Sequence, residues 1–319
     1  MSGGGNPVHE NRVAVIGAGN VGATTAYALL QTGLVREILL LDRDARKAEG
    51  EALDLQHAAP LGPPVSVRAT SDYNEAAQSA IVVITAGAAN KPSGGGPTSR
   101  LDLLDQNGDV VRECVGRLRQ NGFAGILLMT TNPVDVLAQI AQEEFDLPPA
   151  RVFGSGTILD TARLGHLLAE RLKVAPQAIN AFIIGEHGDS EIAAWSSARV
   201  AGVPLADFAG ADVLGSLPDL LGQVRAAAPA VVERKGNTSF AIASCVARIC
   251  EAVLRDERTV LCVSARLSGE YGLNDVYLGT PCIVGANGIE RVIAVPLNDE
   301  EKAALHVSAG VLREARARV

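Results

Sequence analysis

The sequence predicts an α/β chain in two parts, a doubly wound parallel sheet followed by an α+β unit. Three observations carry this. Short runs of Val, Ile and Leu without polar alternation, at 13–16, 38–41, 81–85 and 126–130, read as strands buried on both faces. Helical patterns at 21–31, 45–57, 101–120 and 134–145 fall between and after them in regular alternation. Beyond Pro148-Pro149 the alternation stops, and helices mix with closely spaced apolar runs.

Taken in order, the strand at 13–16 leads through glycines into the helix at 21–31, and the strand at 38–41 leads into the helix at 45–57. A further run at 65–68 supplies another strand before 81–85. In the second part a helix over 158–173 precedes a strand at 181–184, a helix-rich stretch and a long helix over 238–254. Runs at 260–267, 281–284 and 288–294 read as antiparallel strands, with turns at Gly269, Gly272 and Asn287-Gly288, and a last helix starts near Asp299. These patterns divide the chain into a tail over 1–10, a nucleotide-binding unit over 11–154 and a second unit over 155–319.

Composition narrows the classes of function. With 319 residues, 47% of them hydrophobic and 20% charged, the chain can bury large cores and is not a disordered sequence. A net charge of −8 and only 3% aromatic residues exclude the basic stripe and stacking rings of a nucleic-acid binder. The uncharged stretch 13–35 is interrupted by glycine, threonine and asparagine too often for a membrane span. The N-terminus lacks the basic and apolar regions of a signal peptide. Five cysteines without a CxxC then read as reduced, buried thiols, and the expected location is the cytoplasm.

The chemistry begins at Gly17-Ala18-Gly19-Asn20-Val21-Gly22, placed between a strand and a helix. Glycines there allow a tight turn and close approach of backbone to a pyrophosphate, which the helix N-terminus attracts. Asp42 closes the second strand, where a carboxylate accepts from both ribose hydroxyls and repels a 2′-phosphate, so NAD is expected rather than NADP. This is a Rossmann dinucleotide site.

Four further segments carry polar residues in the positions a ligand would use. Asn132 follows the strand at 126–130, at the carboxyl end where ligands gather, although a helix cap explains it equally. Asp160 and Arg163 share a helix face, as in many surface ion pairs. His187 leaves a strand between Gly185 and Gly188, and Arg100 opens a helix after a glycine-rich loop. There is no GxSxG, HExxH or GxxxxGK[ST], which leaves hydrolase, zinc-protease and triphosphatase readings without a candidate.

Together with VIGAGNVGATTAYALL, LLLDRD, TAGAANKP, RLDLLDQN, TTNPVD, GSGTILDTARL, IIGEHGDSE and KGNTSFAIA, these segments resemble the L-lactate/malate dehydrogenase family, the lactate branch more than the malate branch. The resemblance runs from about Arg12 to the last helix. It implies an NAD-dependent enzyme moving a hydride between a 2-hydroxy acid and the cofactor. In that reading His187 is the acid/base residue and Asp160 its partner. Arg163 and Asn132 bind substrate, Arg100 polarises the ketone, and Thr238 shapes a small pocket. Thr85, Ala86 and Gly87 join Gly17, Gly19, Asn20, Val21, Gly22, Asp42 and Asn132 around the cofactor. A homo-oligomer, tetramer or dimer, is implied as well.

Two departures from the family's pattern stand out. Where the residue before Lys-Pro is Gln for lactate and Arg for malate, this chain has Asn90, and the loop is lengthened at Ser93-Gly94-Gly95-Gly96-Pro97. No arginine lies between Ala88 and Ser99 to meet a second substrate carboxylate. Pyruvate is therefore favoured, with malate or a bulkier, 2-hydroxyisocaproate-like acid as alternatives. Gly165 and Asn180 stand where relatives activated by fructose 1,6-bisphosphate carry Arg and His, so no such activation is expected. The reading from another class, a catalytically silent dinucleotide-binding protein, would tolerate loss of His187, Arg163 and Asp160, yet all three are present.

Overall fold

The computed structural model describes residues 9–88 and 100–319, with the side chains of 9, 10 and 100–102 outside that description. The first half runs β1 (His9–Ile16), α1 (Asn20–Thr32), β2 (Glu37–Leu41), α2 (Ala45–Ala58), β3 (Ser66–Ala69), α3 (Tyr73–Ala77), β4 (Ser79–Ile84), α4 (Arg100–Gln120), β5 (Ile126–Met129), α5 (Val134–Glu144) and β6 (Val152–Gly154). These six strands lie parallel in the order β3-β2-β1-β4-β5-β6. The order reverses between β1 and β4, which opens a crevice at their carboxyl ends. β1 begins at His9, so its first two residues fall within the stretch 1–10 that the sequence marks as a tail.

Burial on both faces explains the unbroken apolar runs. Ala14, Ile16, Leu39, Leu41, Val82 and Ile84 point to one face, where Val111 and Val115 of α4 and Leu137 of α5 meet them. Val13, Val15, Ile38, Leu40, Ile81 and Val83 point to the other, against Ala26 and Leu30 of α1. Alternate residues thus serve opposite cores, as the two-residue period of a strand requires.

The second half contains α6 (Ile158–Leu172), the short strands β7 (Ile179–Asn180), β8 (Ile183–Ile184), β9 (Ile192–Ala193), β10 (Arg199–Val200) and β11 (Val203–Pro204), and helices α7 (Leu205–Phe208), α8 (Ala211–Gly215), α9 (Leu217–Lys235) and α10 (Phe240–Leu254). They are followed by β12 (Thr259–Ser268), β13 (Asn274–Gly285), β14 (Gly288–Val292) and α11 (Asp299–Arg316). Leu164 and Leu168 of α6, Ile183, Val200, Leu220 and Val224 form a core of their own.

The two halves are not separate layers. β12 pairs antiparallel with β6 through Ser264 and Gly154, so β12, β13 and β14 extend the first sheet to nine strands. The physical reason is the open edge of β6, whose unpaired backbone groups need a neighbour. α10 crosses back to pack on α1, and its Val246 and Ile249 join the core beneath that helix. The expected strand at 281–284 is part of the longer β13, which starts at Asn274 and carries Pro281 within it. Pro281 sits opposite Cys262, and its carbonyl accepts from the Ile293 N–H at 2.8 Å.

No helix among the described residues is long and apolar enough to cross a membrane. All five cysteines are buried and free. Tyr277 on β13 is among the largest fully buried side chains, and its hydroxyl donates to the Val152 carbonyl of β6 at 3.3 Å. Removing that hydroxyl with Tyr277→Phe should cost about 1 kcal/mol. Tyr277→Ala should cost about 3–5 kcal/mol by opening a cavity between hairpin and sheet, both read from urea denaturation midpoints.

Candidate active site

The crevice floor is made by backbone. Gly17 follows β1 at φ +108°, and a Cβ on it would lie 2.5 Å from the Ala86 nitrogen; one on Gly22 would lie 1.8 Å from the Gly17 carbonyl. Neither position has room for a side chain, whereas Gly19 faces open space. α1 starts at Asn20 with no side-chain cap, and Ala23 N–H is the first to bond back, to Gly19. Helix starts leave their first amides without intrahelical partners, and these are what a pyrophosphate needs. The residues therefore fit a dinucleotide.

Asp42 follows β2 and its Oδ2 accepts from the Ala18 N–H at 2.6 Å, while Oδ1 accepts from the Asp44 N–H at 3.0 Å. The carboxylate buttresses the glycine turn and keeps lone pairs for ribose hydroxyls. Across the crevice, Thr85 Oγ1 donates to the Gly17 carbonyl at 2.8 Å, and Thr131 Oγ1 donates to the Ala86 carbonyl at 2.8 Å. Thr85 and Ala86 after β4 thus stand beside the glycine turn, and Gly87 packs against Thr131, the residue before Asn132.

The second cluster is buried and charged. Asp160, in the first turn of α6, is 2% exposed. Its Oδ1 accepts from Arg163 Nη1 at 2.8 Å and its Oδ2 bonds His187 Nδ1 at 2.6 Å. His187 lies in the loop joining β8 to β9, and consecutive amides of that loop are held by different elements. The Gly185 N–H donates to Gly279 of β13 at 2.9 Å, that of Glu186 to Ser308 Oγ of α11 at 2.8 Å, and that of His187 to Asp135 Oδ2 of α5 at 2.9 Å. The ring has little freedom to wander.

Electrostatics follow from this packing. For Asp160, burial disfavours the charge, but His187 and Arg163 outweigh it and hold the carboxyl below its usual value. For His187, burial opposes the imidazolium, yet Asp160 above all, with Asp135 and Glu191 behind it, raises the ring above its ordinary value. Glu191, 2% exposed with Oε1 unpartnered, is pushed up to about 8 by burial and by the charge of Asp160. Burial beside Asp160 thus opposes a further negative charge next to the Asp160–His187 pair. Asp160, His187 and Glu191 place their ligating atoms within 4.8 Å of one another. Arg163 and His187 already neutralise Asp160, so no metal is needed there.

Thr238 lies half-buried in the turn between α9 and α10, outside the helix that the sequence begins at 238. α10 packs against α6, and the charges of Asp160 and Arg163 reach Cys245 on it, which puts this helix beside the cluster. Arg100 opens α4, with its side chain outside the described residues. Asn90 and the Ser93–Pro97 insertion also lie outside them.

Four residues were not legible as site components. Asp135 and Ser308 hold the His187 loop, Glu191 sits behind the histidine, and Asn107 in α4 bonds both Ala88 and Asn132. A polar residue at a helix position otherwise facing the core is the one signal that marks Asp135, Asn107 and Ser308, which are 2%, 1% and 0% exposed.

A dinucleotide crevice beside a buried histidine–carboxylate–arginine cluster defines an NAD-dependent oxidoreductase of small carboxylic acids. Residues 11–154 match the NAD binding domain model of lactate/malate dehydrogenase, and residues 157–319 match the family's alpha/beta C-terminal domain. The chain belongs to the lactate/malate dehydrogenase family. L-lactate dehydrogenase 1 of Clostridium acetobutylicum is 44% identical over 309 residues, covering 96% of this chain and 97% of that protein. The L-lactate dehydrogenase of Bacillus caldotenax is 43% identical over 311 residues, 97% of each. Among solved structures, the minor L-lactate dehydrogenase of Enterococcus mundtii in its ligand-bound form superposes with a TM-score of 0.92 at 38% identity, covering 97% of this chain and 98% of that one.

Asp135 also yields a stability prediction. Burial pushes its carboxyl up to about 6, with the nearby Ser264 hydroxyl and the His187 N–H only partly offsetting this. A raised carboxylate value means the folded state holds the proton more tightly, so stability is fullest below about 3.9 and declines as pH rises through about 6. Asp135→Asn can accept from His187 N–H and donate towards Ser264 without charge. It should raise stability at pH 7 by up to about 3 kcal/mol, the equivalent of roughly two pKa units, and by almost nothing at about pH 3, measured by thermal melting across pH.

Proposed function

We propose that the protein interconverts an L-2-hydroxy acid and its 2-oxo acid with NAD, and that L-lactate and pyruvate are the preferred pair. The observation that carries the reading is the bonded series Arg163–Asp160–His187, at 2.8 and 2.6 Å, beside the dinucleotide crevice. The L-lactate dehydrogenase relatives, similar over nearly the whole chain, support the choice of substrate.

The residues divide the work as follows. Nδ1 of His187 is committed to Asp160, which leaves Nε2 to exchange a proton with the substrate oxygen. In the reducing direction the imidazolium gives that proton to the forming hydroxyl, and Asp160 stabilises the cation beforehand. Arg163 spends Nη1 on Asp160 and keeps the rest of its planar fork for the substrate carboxylate. The Gly17–Gly22 turn would hold the pyrophosphate of NAD and Asp42 its ribose, and the bound cofactor would supply or accept the hydride. Asn132 and Thr238 bound the substrate, and the family resemblance assigns Asn90 to substrate selection and Arg100 to polarising the ketone. The absence of arginine between Ala88 and Ser99 disfavours a second carboxylate. We also assign a cytoplasmic homo-oligomer, dimer or tetramer, with α2 at a subunit contact, where Leu53 is 53% exposed.

An NADH-oxidation panel of pyruvate, oxaloacetate and 4-methyl-2-oxopentanoate tests this directly, and pyruvate should turn over fastest. Inert behaviour towards all three would refute it and favour a binding protein. His187→Asn should lower kcat by about 10²–10⁴ while leaving NADH binding intact. Arg163→Lys should raise KM for pyruvate about tenfold or more by losing the fork. The pH dependence has a definite sign. Pyruvate reduction needs the imidazolium, so kcat/KM falls as pH rises through a His187 value above the ordinary one. Asp160→Asn removes the chief support for that charge and should move the fall to lower pH.

A further inference from the structure

Asn107 is 1% exposed and lies within α4, two turns after Arg100. Asparagine is a mediocre helix former because its amide competes with the backbone, and the following Gly108 is poorer still. An Asn-Gly pair inside a long helix therefore points to a demand from outside it. Both ends of the Asn107 amide are engaged. Oδ1 accepts from the Ala88 N–H at 2.7 Å, and Nδ2 donates to the Asn132 carbonyl at 2.8 Å.

Those two backbone groups belong to the segments that leave β4 and β5 at the crevice. The Asn132 carbonyl precedes the α5 ladder, which starts with Leu137 N–H bonding Pro133 at 3.0 Å. The space around the clamp is filled. A Cβ on Gly87 would meet Thr131 Cγ2 at 2.5 Å and Asn107 Oδ1 at 3.0 Å. A shift at Asn107 is thus passed to both segments.

We propose that Asn107 is a positioning residue for the 2-oxo acid site, fixing the β4 and β5 segments relative to one another and so the aim of Asn132. It also anchors α4 about 10 Å along its axis from Arg100. The inference rests on the proposed function. No common side chain repeats the arrangement: Asp keeps the acceptor but sets a carboxylate against the Asn132 carbonyl, and Ala leaves two backbone groups without their partner.

The test compares Asn107→Ala and Asn107→Asp with Leu104→Ala, a loosening control on the same helix at an equally buried apolar position. Each is assayed with NADH and the 2-oxo acid that the wild type reduces fastest, with fluorescence titration of NADH and thermal melting in parallel. Both Asn107 variants should lose about thirtyfold in kcat/KM, mainly through KM, the scale of buried groups losing their partners. Their NADH affinity should stay within about threefold, and Leu104→Ala should lose Tm while keeping kcat/KM within about threefold of wild type. If the alanine variant does not fold, the near-isosteric aspartate variant decides. Wild-type kcat/KM in the variant that folds, or an equal loss in Leu104→Ala, overturns the assignment. A wild type inert towards every 2-oxo acid overturns the functional reading itself, and this inference with it.

Discussion

A carboxylate with almost no access to water must be neutralised where it stands, and Asp160 is that carboxylate. Ion pairs in such places are poor sources of stability, because desolvation takes back what attraction contributes. What the pair provides here is geometry. α6 carries both Asp160 and Arg163, so one helix turn fixes their separation, while His187 is brought in from a loop otherwise distant in sequence. The anchoring of Gly185, Glu186 and His187 to β13, α11 and α5 is what lets the loop meet the carboxylate at hydrogen-bonding distance.

The surrounding acids are then kept from spoiling the arrangement. Asp135 and Glu191 are buried near His187, and ionising either would strengthen its hold on the proton further. Burial opposes their ionisation and raises both values, to about 6 and about 8. The histidine is thereby tuned by one permanent negative neighbour and two conditional ones. The substrates are themselves anions, so attraction in this acidic protein has to come from a few local cations rather than from overall charge.

Much of this was legible beforehand, for reasons that differ by element. The buried parallel strands announced themselves through unbroken apolar runs, and the glycine turn through spacing that only close backbone contact explains. Asp160, Arg163 and His187 were visible as residue types in suggestive places, but each alone had an ordinary structural account. Their convergence comes from pairing between α6 and the β8–β9 loop, which no local pattern encodes. β13 was underestimated because polar and glycine residues break up the apolar run before Pro281, whereas in the folded sheet the strand starts at Asn274 and Pro281 lies within it, opposite Cys262. Asn107 and Ser308 stayed hidden because their roles depend on backbone groups supplied by other elements, and Glu191 because its role depends on burial beside Asp160.

The nine-stranded sheet has a mechanical meaning. A molecule whose halves are joined by one linker can open like a jaw, and its ligands enter by swinging one body away from the other. Here β12 is bridged to β6 at Ser264–Gly154, Tyr277 reaches across to Val152, and α10 lies back over α1. A swing of that kind would have to break that pairing, the Tyr277 hydrogen bond and a packed core together. Entry and release are therefore the business of the segments at the crevice rim, over a framework that keeps its shape through each turnover.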